Sequence, residues 1–198
     1  MRISWEVMNR PDSKAYVCGH CSNSIASAVG YEGRYSDGSH FADMYICHHC
    51  GKPTFFAPDG KQVPGVPFGS AVAKIAEEGV AALYEEARNA TSANAFTAAV
   101  MCCRKLLMHI AVDKGADPDE SFEHYVEYLA DHHYVPPDAS RWVDRIRTRG
   151  NEANHEIRIM EQADAAELIS FCEMLLKVIY EFPARVSEPP AETAKTGE

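Results

Sequence analysis

Hydrophobic and polar positions follow two different periods along the chain, and the change falls near residue 67. Over the first part, apolar residues come in short alternating or clustered runs: Ile3, Trp5 and Val7, then Tyr16-Val17, then Tyr45-Ile46, then Phe55-Phe56. Alternation places successive side chains on opposite faces of a strand, so these runs predict short β-strands. Asp37-Gly38 lies between Tyr35 and Phe41 and is a hairpin-type dipeptide, since glycine supplies the positive φ of a tight turn.

From residue 68 onward, apolar positions recur at three- and four-residue steps, which is the period of a helix with one buried face. A first helix is predicted over about 70–89, weakened at Gly79, and Thr91 or Ser92 can cap a second that runs to about Lys114 and stops at Gly115. The buried face of the second carries Phe96, Val100, Cys103, Leu107 and Ile110. A third, about 120–133, aligns Phe122, Val126 and Leu129 and ends at Val135-Pro136-Pro137. A fourth starts near Pro137 or Asp138 and turns Trp142, Val143 and Ile146 inward. The last takes Asp164 as cap with Glu167 three residues on, and runs through Leu168, Phe171, Leu175 and Ile179 to Pro183. Between the two regimes, APDGKQVPGVP at 57–67 holds three prolines and two glycines and reads as a linker. The predicted fold is mainly α: a β-rich ribbon at 1–56, the linker at 57–67, a four- or five-helix bundle at 68–183, and a tail at 184–198 without core pattern, expected to be disordered.

Charge modifies this picture. The formal net charge is −10, which argues against a broad nucleic-acid coat, because phosphate contacts need Lys and Arg to displace counterions. The excess is uneven: residues 1–67 carry six basic and six acidic side chains, residues 68–183 eleven and twenty. Within the acidic part, RWVDRIRTRGNEANHEIR at 141–158 concentrates five arginines, a local patch on an acidic body. No leader precedes the first strand run and no apolar run approaches the roughly 20 residues of a membrane span, so a soluble, cytoplasmic protein is expected.

Four of the seven cysteines form two Cys-x-x-Cys pairs, Cys18/Cys21 in YVCGHC and Cys47/Cys50 in YICHHC, each with a tyrosine two residues before its first cysteine. Each pair folds into a turn that presents two thiolates, and two such turns supply the four soft donors of tetrahedral Zn2+. Two disulfides or a redox pair compete with this reading, and the spacing favours zinc. With all four positions occupied by thiolates the site is closed, hence structural, and contributes folding energy to a ribbon too small for a large core. His20, His48 and His49 are read as exposed turn residues rather than as ligands or phosphate contacts. Cys102, Cys103 and Cys172 fall inside helical patterns as small core residues.

In the arginine-rich stretch, Arg141, Arg145 and Arg149 share one helical stripe, and Arg141 and Arg145 are expected to pair with nearby acids such as Asp144 and Glu152. Gly150 costs a helix about 1 kcal/mol relative to alanine and suggests a break there. Asn151 and His155 then sit one turn apart, either capping a new helix or placed for chemistry.

The segments LYEEARNATSANAFTAAVMCCRKLL at 83–107, IRTRGNEANHE at 146–156 and YEFP at 180–183 resemble a bacterial and phage family of unassigned function. That family is grouped with the HEPN (higher eukaryotes and prokaryotes nucleotide-binding) helical domains and often follows a zinc ribbon. The resemblance implies a HEPN-like bundle that pairs as a homodimer, and metal-independent endoribonuclease activity of the kind found in toxin and phage-defence systems. On that reading His155 transfers the proton of a ribose 2′-OH or of the leaving oxygen, Asn151 orients it, and an arginine fork stabilises charge on phosphorus. Arg149, with five residues between it and His155, fits the spacing of the nucleases, whereas the family's own element matches Arg147, with seven between. The alternative is a non-catalytic dimerisation and protein-interaction module whose ribbon docks a partner. Neither GxxxxGK[ST] nor GxGxxG occurs to support a phosphate loop.

Overall fold

The computed structural model describes residues 3–8, 12–155 and 159–187, with side chains described for 12–139, 141–148 and 159–186. Seven strands come first: β1 (Ile3–Met8), β2 (Lys14–Val17), β3 (Ser24–Ser27), β4 (Gly30–Tyr35), β5 (His40–Ile46), β6 (Pro53–Phe56) and β7 (Gln62–Val63). They form a five-stranded antiparallel sheet in the order β1-β4-β5-β6-β7 and a separate β2-β3 hairpin. The turn at Asp37-Gly38 closes β4 onto β5: Gly38 takes φ +83°, and the Asp37 carboxylate accepts the Ser39 N–H at 2.9 Å. Tyr16 and Tyr45, the two tyrosines that precede the cysteine turns, both pack on Phe56, at 5.2 and 5.8 Å between ring centroids.

The helical part contains α1 (Glu78–Ser92), α2 (Phe96–Asp113), α3 (Phe122–Asp131), α4 (Ser140–His155), α5 (Gln162–Leu176) and α6 (Phe182–Ser187), with a π turn at Lys177–Glu181 between the last two. Helix α2 is the central rod. Its Ala99, Val100, Cys103, Leu106, Leu107, Ile110 and Ala111 are buried, meeting Val80 and Tyr84 of α1, Tyr125, Val126 and Leu129 of α3, Val143 and Ile146 of α4, and Leu168, Phe171 and Leu175 of α5. Gly115 at φ +105° ends α2, because a residue in the left-handed region closes the last carbonyls and stops the rise. Among the described residues no helix is long and apolar enough to cross a membrane.

Five details depart from the pattern-based expectation. The first helix begins at Glu78 rather than near 70: Ser70 and Ala73 donate their backbone N–H groups to Glu173 (2.8 Å) and Glu181 (3.0 Å), and Lys74 takes φ +63°. Residues 64–77 therefore form an extended strap across the bundle. Thr91 does not cap α2, because its hydroxyl bonds back to the Arg88 carbonyl (2.7 Å) and accepts the Phe68 N–H (2.9 Å); α1 runs on to Ser92. Helix α4 continues through Gly150 to His155 without a break, its buried Val143 and Ile146 outweighing a propensity cost of about 1 kcal/mol. Helix α5 is entered at Glu161, whose N–H bonds to the Asp164 carboxylate at 3.0 Å, so Asp164 lies inside the first turn rather than before it. The terminal helix does not stop at Pro183: after a π turn at Lys177–Glu181 it continues to Ser187.

Candidate functional site

Strand β2 runs directly into Cys18 and strand β5 directly into Cys47, so two hairpin tips meet head to head. The tips are built alike. Ser22 N–H bonds to the Cys18 carbonyl and Gly51 N–H to the Cys47 carbonyl, both at 2.8 Å; Cys18 N–H bonds to the Asn23 carbonyl (2.9 Å) and Cys47 N–H to that of Lys52 (3.0 Å). The fourth residue after each leading cysteine is left-handed, Gly51 at φ +69° and Ser22 at φ +57°. Glycine adopts that conformation at no steric cost and serine at a small one.

All four sulfurs lie within 4.8 Å of one another, with Cys18 to Cys50 and Cys21 to Cys47 each 3.8 Å apart. A disulfide requires about 2.05 Å, so neither pair is bonded. A tetrahedron with metal–sulfur bonds of about 2.3 Å has edges of about 3.8 Å, so the cluster has the dimensions of a four-thiolate zinc site. Cys18 and Cys47 are buried, and two N–H groups point at sulfur, His20 N to Cys18 and the Asn23 side chain to Cys21, each at 3.4 Å. The Asn23 side-chain and backbone hydrogen bonds bring the Cys21 thiol down to about 6. Cys50 goes the other way, to about 11, because burial and its three thiol neighbours outweigh the Lys52 backbone N–H. Four thiolates cannot coexist at these distances without a cation between them, and the donor set suits a soft divalent ion. His20, His48 and His49 are exposed, and His20 Nε2 contacts the Pro53 carbonyl at 3.0 Å, outside the sulfur set.

The second sequence candidate, the arginine stretch, is divided among several partners. Arg145 extends to Glu167 of α5 at 2.5 Å. Arg147 is enclosed by three carboxylates: Glu123, Glu127 at 3.0 Å and Asp144 at 3.6 Å. Its guanidinium thus joins α3 to α4 and is neutralised where it stands. The side chains of Arg149, Asn151 and His155 lie outside the described ones, although the backbone of α4 carries all three positions. On that unbroken helix, 147, 151 and 155 follow one another at four-residue steps, while 149 and 155 are about 120° apart around the axis.

Sequence reasoning missed the polar bonds that fasten the strap. Arg88 is 4% exposed and donates from Nε to the Phe68 carbonyl (3.1 Å), from Nη2 to the Gly69 carbonyl (3.2 Å) and from Nη1 to Glu85 (2.7 Å). Only an arginine inside an apolar helical face would have signalled it. A further cluster, Glu32, His40 and Asp43, has metal-like spacing, but the Arg34 guanidinium already holds Glu32, with Nε at 2.9 Å.

A family model described as "Domain of unknown function (DUF4145)" matches residues 85–192, more than half of the 198 residues; the match begins inside α1 and excludes the cysteine turns and the strap. No curated protein and no solved structure matches the chain.

Proposed function

The chain belongs to the DUF4145 family, and on that premise we propose that it is a non-catalytic, dimerising interaction module in which a zinc-clamped ribbon is mounted on a HEPN-like helical body. The observation that carries this reading is the carboxylate enclosure of Arg147 by Glu123, Glu127 and Asp144. A phosphate approaching that guanidinium would have to displace three negative charges, which opposes binding in this net-acidic protein. Positions 149 and 155 are about 120° apart around the α4 backbone, which weighs against a single-chain pair at one phosphorus.

A second reading stays in view because positions 151 and 155 are one turn apart: a cytoplasmic endoribonuclease in a prokaryotic defence or toxin setting, assembled when two α4 helices face each other across a dimer. One experiment separates the two. Purified, zinc-loaded protein is incubated at low salt with end-labelled single-stranded RNAs of varied sequence, beside His155→Ala, while light scattering reports the mass. A dimer that leaves every RNA intact is the expected result. Cleavage by the wild type and none by a folded His155→Ala would overturn the non-catalytic reading and establish the second.

A further inference from the structure

We propose that the first cysteine turn and the strap form a metal-dependent latch: filling the four-sulfur site holds residues 65–73 on the helical body, and emptying it releases them while α2 stays folded. The contact is backbone against backbone. A Cβ added to Gly19, between Cys18 and His20, would lie 2.3 Å from the Pro64 carbonyl oxygen and 2.5 Å from that of Gly65. Only a side chain as small as hydrogen permits this approach, so the turn that carries two of the sulfurs is seated directly on the start of the strap. Gln62 adds a bridge, its Nε2 donating to the carbonyls of Val17 (2.8 Å) and Pro64 (3.1 Å).

From there the strap is fastened to the helices by a succession of polar bonds. Gly65 N–H reaches the Ser92 carbonyl at 3.0 Å, Phe68 N–H the Thr91 hydroxyl, Ser70 N–H Glu173, and Ala73 N–H Glu181 in the π turn. Of its apolar anchors, Pro67 is buried and Phe68, Val72 and Ile75 are only partly buried. An open cleft of about 480 Å³ separates the cysteine turn from α1, lined by His20, Ser22, Glu85 and Asn89 among others, so solvent reaches the seam. A segment with few buried apolar contacts and solvent at its edge sits at the low-stability end of a fold. The shape of the cysteine turn in its turn depends on the ion, because sulfurs 3.8 Å apart without a cation have only weak S–H contacts to hold them. Metal occupancy therefore reaches Glu173 and Glu181 through Gly19, Pro64 and the strap.

Amide hydrogen exchange on the full chain tests this, with zinc bound, after removal by a chelator, and after zinc is restored. The expected result is exchange at Gly65, Phe68, Ser70 and Ala73 at least tenfold faster without metal, reversed by zinc, with Leu106 and Leu107 in α2 unchanged. Strap protection that is the same with and without metal would overturn the latch, as would α2 accelerating by the same factor, which means the chain opens as one unit. Gln62→Ala, which touches no sulfur, supplies a second arm. Coupling is reciprocal, so this variant is expected to show a faster-exchanging strap with zinc present and to lose zinc sooner in chelator competition. No change in either quantity would sink the proposal.

Discussion

Arg147, one of the candidate site residues, is ion-paired in the fold. In the sequence it stands in a basic cluster; in the fold it is the counter-charge for acids on two helices, Glu123 and Glu127 on α3 and Asp144 one turn back on α4. Nothing in the local pattern reveals this, because the α3 acids are about twenty residues away and meet Arg147 only after the helices pair. Replacing it with alanine leaves three largely exposed carboxylates facing one another between α3 and α4. Arg147→Ala is expected to cost about 0.5–1 kcal/mol in denaturant unfolding, with Arg147→Lys recovering only part because the ammonium lacks the planar fork. An unchanged midpoint would argue that the guanidinium is free for a ligand instead. The left-handed Ser22 was hidden for a related reason: its counterpart Gly51 announces the conformation, while serine does not.

At the scale of elements, helices with a strong one-sided pattern were legible and segments governed by distant side chains were not. The faces of α2, α3 and α5 follow the three- and four-residue spacing, and Val100, Cys103, Leu107, Ile110, Val126, Leu129, Leu168 and Leu175 are buried as that spacing requires. The strap failed as a prediction because its Ala, Val and Ile residues suit a helix, yet Glu173 and Glu181, about a hundred residues later, capture its N–H groups. Gly150 misled in the opposite direction, since one unfavourable residue costs less than the packing of Val143 and Ile146 contributes. The central position of α2 has a measurable consequence. Leu107 is fully buried in the middle of the bundle, and Leu107→Ala removes its contacts where neighbouring helices close in only partly. A loss of about 2–5 kcal/mol is expected in equilibrium unfolding; a loss below 1 kcal/mol would mean that α2 is not the structural centre.

For the molecule as a whole, the two halves differ in what holds them together. The helical body has a continuous apolar core, while the ribbon has a small aromatic cluster around Phe56 and a second group in which Ile25 and Tyr16 pack on the cysteines. On the proposed latch, the ribbon's order leans on an ion held by these four sulfurs, and through Gly19 and Gln62 so does the strap. The paired Cys-x-x-Cys turns made the cysteine cluster legible in the sequence, but the seating of one turn on Pro64 and Gly65 needed the fold. The proposed latch requires that the four cysteines hold one metal ion. Metal content per chain, measured on reduced protein purified without added metal and paired with the absorption spectrum after cobalt replacement, tests that most directly. One zinc per chain, and an intense sulfur-to-cobalt charge-transfer band that disappears in Cys47→Ser, is the predicted result; a folded, reduced protein with no bound metal and no cobalt band would contradict it.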